Sequence, residues 1–205
     1  MFSYAKRSVT EKSNKWVFGT MLFFGVIALV ASFVLAIDEF QLLKDPNAVL
    51  SCSFNVVLNC STVMKTWQAH VFGFPNMFIG LVGFPIVITV AIVGLTGARL
   101  SRWFWVLANI CYGLGALFAY WLFFNSLYAI QILCPWCLIV TFSTTVIFSA
   151  ITHYNLHENT IQFSKKANER IQSLLKKDVD KLLVASWVVL LIALVFIKFG
   201  NSLFA

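Results

Sequence analysis

The sequence predicts an all-α integral membrane protein, and three observations carry that prediction. Of 205 residues, 60% are hydrophobic and only 11% charged, whereas soluble domains carry about 25% charged residues. No polar segment is long enough to enclose a core of its own. Finally, Trp103 to Thr152 contains no Asp, Glu, Lys or Arg at all. As one helix that stretch would run about 75 Å at ~1.5 Å per residue, and a bilayer core is only about 30 Å thick. It must fold back as two spans.

Five spans follow in order. The first, Trp16–Ile37, is long enough to cross and has no small-residue cleavage site after it, so it reads as an anchor and not a cleavable signal. A loop from Asp38 to Phe74 comes next. Within it Val63, Trp67 and Val71 recur every four residues, a spacing that could lay a short amphipathic helix on the membrane surface. Interfacial anchoring by Trp67 explains the pattern equally well. Span two is Pro75–Thr96. Span three, Trp103–Tyr128, carries Cys111 midway, read as a small core residue without a role. The chain turns near Asn125 to Leu133, and span four, Leu133–Thr152, opens with Cys134-Pro-Trp-Cys137. His153 and His157 fall at the interface that follows. Residues 153–181 form a basic segment, partly helical, with apolar Ile161, Phe163, Leu174 and Leu175 among its charges. It is expected on the inner face, attracted to anionic lipid. Residues 182–205 hold span five, Leu182–Phe199, where Lys198 can snorkel.

Basic residues set the orientation. Lys6, Arg7, Lys12, Lys15, Arg99, Arg102, Lys165, Lys166, Arg170, Lys176, Lys177 and Lys181 fall on one side, against Lys44, Lys65 and Lys198 on the other. Cytoplasmic loops collect Lys and Arg, so the N-terminus is expected inside and the C-terminus outside. The net charge of +7 then serves topology, and no nucleic-acid partner is expected.

On this topology Cys52, Cys60, Cys134 and Cys137 all face outward, where thiols pair or do redox work. Seven residues separate Cys52 from Cys60; a disulfide between them is permitted, as a loop staple or as a redox pair. The CxxC pair is harder to read as a staple. Pro135 suits a first helical turn, and a helix N-terminus offers free amides and partial positive charge that stabilise a thiolate. Four cysteines could also hold zinc, with His70 as the only outward histidine, but no metal is expected.

A loop cysteine pair, then one membrane hairpin, then an outward CxxC opening the next helix resembles the vitamin K epoxide reductase family. The resemblance runs from Trp16 to Thr152. It includes Cys60-Ser-Thr-Val-Met-Lys-Thr66, with the Ser or Thr that the family tends to have at the last place. It also includes Phe72-Gly-Phe-Pro-Asn-Met-Phe-Ile-Gly80 and Leu133-Cys-Pro-Trp-Cys137, which together look most like the bacterial, especially actinobacterial, branch. The resemblance implies a four-helix catalytic bundle within residues 1–152, enclosing a quinone (menaquinone, ubiquinone or vitamin K) near its outer end, with the fifth helix beside it. It implies Cys134 and Cys137 as the active-site pair and Cys52 and Cys60 as the shuttle pair. By position Cys137 would face the quinone, Cys134 would exchange with Cys60, and Cys52 would meet a partner. Asn76 matches a family asparagine that hydrogen-bonds a quinone carbonyl. A tyrosine that assists at the quinone in the animal enzymes is Thr141 here, a departure that weakens epoxide chemistry.

The expected function is therefore a membrane thiol oxidoreductase of the bacterial cytoplasmic membrane that makes disulfides in exported proteins. Many bacterial relatives carry a thioredoxin-like domain after the fifth helix. This sequence ends at Ala205, so a separate secreted or membrane-anchored thioredoxin-fold protein is the expected partner. Phe78, Phe84, Trp121 and Phe124 are candidates to line an apolar quinone pocket, and each serves as readily in core or lipid packing. Two rivals remain: reduction of vitamin K epoxide by the same cysteines, and a non-catalytic scaffold whose cysteines only staple loops.

Overall fold

The computed structural model describes the backbone of residues 2–203 apart from positions 51, 54, 56, 99, 159, 161–163 and 176. Side chains are described from Asn14 to Gly200, apart from those positions and Lys165. The side chains of Lys6, Arg7, Lys12 and Lys165, and all of Arg99, Ile161, Phe163 and Lys176, lie outside the described residues. The protein is an all-α integral membrane protein, and among the described residues five helices are long and apolar enough to cross a bilayer.

Helix α1 (Phe2–Lys44) is followed by a short α2 (Cys60–Met64), α3 (Met77–Leu95), α4 (Arg102–Asn125), α5 (Pro135–His157), α6 (Lys165–Leu175) and α7 (Val179–Leu203). A 3₁₀ turn occupies Trp67–His70, and a π turn, Ser126–Ile130, continues α4. α1, α3, α4 and α5 form a bundle in which α1 packs on α3 and α5, and α4 packs on α5. α7 lies against the outside of α5.

Burying apolar surface gains little when the alternative is lipid, so close backbone approach must do the packing. Ala28, Ala31, Ala91 and Ser32 are fully or almost fully buried, and Ser32 and Phe18 of α1 meet glycines of α3. A Cβ at Gly80 would fall 2.4 Å from Ser32 Oγ, and one at Gly94 2.5 Å from the Phe18 ring. α1 and α3 touch because those two positions carry no side chain.

α1 runs past the expected end at Ile37 to Lys44. Leu35, Asp38 and Leu42 share one helical face, and all three are buried. That face packs beneath Leu50, Cys52 and Cys60, so the charged residues that ended the span in sequence continue the helix under a cover of loop. The expected amphipathic helix through Val63, Trp67 and Val71 is not continuous. α2 stops at Met64, and Thr66 takes extended backbone (φ −83, ψ 153) before the 3₁₀ turn.

The bundle has two distinct ends. At the basic end Asn14 Nδ2 donates to Glu158 Oε1 at 3.1 Å, Arg102 Nε donates to the Thr160 carbonyl, and Lys181 Nζ sits 4.9 Å over the Trp16 ring. At the other end the 45–76 segment covers the turn between α4 and α5. α7 returns there, with Lys198 Nζ 5.8 Å over Tyr128.

Candidate redox site at the cysteine end of the bundle

The site is built from three short pieces of chain. After the π turn, Gln131 takes a left-handed conformation (φ 57) and ends the α4 layer. Leu133 then pairs with the loop: its N–H donates to the Val57 carbonyl at 2.7 Å, and Asn59 N–H donates to the Leu133 carbonyl at 3.0 Å. This parallel bridge aligns the two segments so that Cys60 and Cys134 each follow a paired residue. Cys134 is the N-cap of α5, with Pro135 in the first turn. Its sulfur accepts from the Cys137 N–H at 3.4 Å. The Cys134 sulfur thus sits at the open N-terminus of α5, facing its free amides.

Asn59 performs the same service for α2. Its Oδ1 accepts from Thr62 N–H at 3.1 Å, from Ser61 Oγ at 2.8 Å and from Ser53 Oγ at 3.1 Å. An Asn immediately before a helical run is an N-cap signature, but the five residues of α2 are too few to show a helical period in the sequence.

The sulfurs stand in a row. Cys52 and Cys60 form a disulfide, and Cys60 Sγ is 3.3 Å from Cys134 Sγ. Cys134 and Cys137 are free thiols. Cys60 and Cys134 are almost completely buried, and Cys52, the cysteine expected to meet a partner, is only 2% exposed. Cys137 is half-buried and, with Cys134, lines a cavity of about 500 Å³.

That cavity runs down the bundle interior, from Gln68 and Asn76 at the cysteine end to Trp105 and Ile151 toward the basic end. It separates α3 from α4, which are bridged where the Tyr112 hydroxyl donates to the Gly83 carbonyl at 3.4 Å. Of the four aromatic residues expected to line a pocket, Phe84 does so. Trp121 instead packs edge-on against Trp67, Phe124 stacks on Tyr128, and Phe78 is not among the lining residues. Tyr112 and Phe118 are lining aromatics that the sequence did not single out. Cys111 is exposed and also lines the cavity, which corrects its reading as a core residue.

Asn76 and Thr141 both reach the cavity. Asn76 Nδ2 donates to the Gln68 carbonyl at 2.7 Å, and its Oδ1 is buried without a partner. Thr141 Oγ1 donates to the Cys137 carbonyl at 2.9 Å, so its proton is already committed. Thr66 lines the cavity and donates to the Val63 carbonyl at 2.7 Å. His70 Nε2 pairs with Glu39 Oε1 at 3.1 Å. Among the described residues no group of three or more His, Cys, Asp or Glu is placed to hold a metal ion.

A buried sulfur row beside an apolar cavity can pass electron pairs by thiol–disulfide exchange, since each step is a thiolate attacking a neighbouring disulfide sulfur. The model of the Vitamin K epoxide reductase family matches residues 20–152, the region that holds all four of these cysteines and the cavity. No curated protein and no solved structure matches the chain.

Proposed function

Because the chain belongs to the vitamin K epoxide reductase family, a family of membrane thiol oxidoreductases, we propose that it oxidises the dithiols of exported proteins and passes the electrons to a quinone. The observation that carries this reading is the 3.3 Å approach of Cys60 Sγ to Cys134 Sγ. A structural staple has no use for a second cysteine pair at contact distance.

The cavity residues fit a quinone. They are mostly apolar, and at the cysteine end the unpartnered Asn76 Oδ1 would accept from one hydroxyl of a reduced ring. A bound quinone provides the two-electron sink. The protein's residues do the rest. A reduced thioredoxin-fold partner opens the Cys52–Cys60 bond at Cys52, leaving Cys60 as the thiolate. Cys60 attacks Cys134 of an oxidised Cys134–Cys137 pair, and the electron pair leaves on Cys137, which faces the cavity. The partner's second thiol displaces Cys52, and Cys52 then attacks Cys60, freeing Cys134. Asn76, through its free Oδ1, and Thr141, through the lone pairs of its hydroxyl, would orient the ring, and the buried walls would keep water from the thiolates.

The basic end would lie in the cytoplasm and the cysteine end outside, in a bacterial cytoplasmic membrane, by the distribution of Lys and Arg. Thr141 offers no free proton for epoxide opening, which favours disulfide formation over vitamin K epoxide reduction. The test is turnover by purified protein with a dithiol donor and a series of quinones. Quinone consumption that requires all four cysteines supports the reading; consumption unaffected by their loss, or none with any quinone, overturns it.

A further inference from the structure

Asp38 is a buried carboxyl that the relay described so far leaves unused. It is 4% exposed, on the face of α1 that lies beneath the shuttle loop, and its Oδ2 is 3.4 Å from Cys52 Sγ. No cation offsets it among the described residues. Of the charged groups on the surrounding elements, Glu39, its neighbour on α1, is bound to His70, and Lys65, in the turn after α2, donates to the Pro46 carbonyl. The α5 segment that packs against the loop contributes Cys134 and no charge.

A buried carboxylate without a cation or a full set of donors is expensive to keep. In the oxidised pair its sulfur neighbour has no proton to give. Only reduction creates a donor at that spot, since a Cys52 thiol would point its proton along the same 3.4 Å line. The carboxyl is therefore matched to one redox state of the shuttle pair and mismatched to the other.

We propose that Asp38 is the proton acceptor for Cys52 when the shuttle disulfide re-forms. The step follows the relay proposed above and rests on it. With Cys60 joined to Cys134, the Cys52 thiol gives its proton to the Asp38 carboxylate. The resulting thiolate forms a bond to Cys60 Sγ, the Cys60–Cys134 bond breaks, and its electron pair leaves on Cys134. The proton stays on Asp38 until the next turnover, when Cys52 departs from the partner as a thiolate and takes it back. Electrons and protons balance without a further reagent.

The test uses quinone-free, full-length protein with both pairs oxidised, mixed with one equivalent of dithiothreitol and quenched at intervals. Peptide mass spectrometry follows the loss of thiol from Cys52 and Cys60 and its appearance on Cys134 and Cys137. Asp38→Asn is expected to slow this transfer by about a hundredfold near neutral pH, the low end of general-base contributions. The deficit should shrink as pH rises through the ordinary thiol range near about 8.5, where solvent removes the proton instead. In a Cys52→Ala, Cys60→Ala background, direct reduction of Cys134–Cys137 by dithiothreitol should proceed at the same rate with and without Asp38→Asn, because no Cys52 proton is involved. Equal transfer rates in parent and Asp38→Asn, or a deficit that does not change with pH, overturn the inference while the relay stands. So does an equal loss in the shuttle-free background, which would make Asp38 a packing residue. Failure of the parent itself to move thiols onto Cys134 and Cys137 removes the relay and this inference together.

Discussion

Cys134 joins the two halves of the site, since it caps α5, touches Cys60 and lines the cavity at once. Replacing Cys134 or Cys137 by Ala should abolish dithiol-dependent quinone reduction while the protein still inserts and folds, measured by quinone absorbance and by thermal unfolding. Either variant retaining turnover would exclude the relay. Cys137→Ala should further accumulate a Cys60–Cys134 crosslinked peptide, because Cys134 then lacks its own resolving thiol and already lies at contact distance from Cys60. A dominant Cys52–Cys134 peptide would reverse the shuttle roles. Cys111 needs a subtler test now that it lines the cavity. Cys111→Ser removes little volume and should leave turnover close to that of the parent. Cys111→Trp puts a large ring into the space between α3 and α4 and should raise the quinone KM before it changes dithiol exchange.

At the level of elements, the spans were legible because hydrocarbon imposes a length and forbids charge, and those two constraints are written in composition. The N-capping CxxC was legible too, since Pro135 has one comfortable place in a helix. What the sequence hid was set by long-range contact. Asp38 looks like the end of a span, and only the packing of Leu35 and Leu42 under Leu50 and Cys52 explains why α1 continues through it. The pairing of Asn59 with Leu133, which aligns Cys60 with Cys134, joins segments far apart in the chain and leaves no periodic signal. Asn59→Ala removes the α2 cap, a change worth about 1 kcal/mol, and frees Ser53 and Ser61 as well. It should lower the unfolding midpoint modestly but slow the formation of the Cys60–Cys134 crosslink more than that loss accounts for. Unchanged crosslinking would mean that the Leu133 bridge alone holds Cys60 in place. The α1–α3 contact is the opposite case, all packing and no chemistry: Gly94→Val would drive a side chain into the Phe18 ring. It should reduce folded yield sharply while leaving the residual folded fraction active.

Across the whole molecule, binding chemistry and topology are kept at opposite ends. The clasp formed by Asn14 with Glu158 and Lys181 with Trp16 closes the basic end. The sulfur row lies at the other end, with the cavity between them, so in the proposed relay a lipid-soluble acceptor and a water-soluble donor would approach the cysteine pairs from different sides. The proposed relay works only in one orientation, because exported proteins present their thiols on one side of the membrane. The native shuttle cysteines are poor reporters of it: Cys52 is 2% exposed, so an impermeant reagent would fail to label it from either side. Val49, 87% exposed in the same segment, is a better position, and Lys177, exposed in the turn before α7, marks the basic end. In intact cells a membrane-impermeant maleimide should label Val49→Cys and leave Lys177→Cys untouched until the membrane is opened. Cys52 and Cys60 should at the same time stay unlabelled, being joined to each other and buried. Labelling of Lys177→Cys from outside would turn the molecule over, placing the sulfur row in the reducing cytoplasm, where disulfides are not kept. A disulfide-forming role for the same residues would then fall with the orientation.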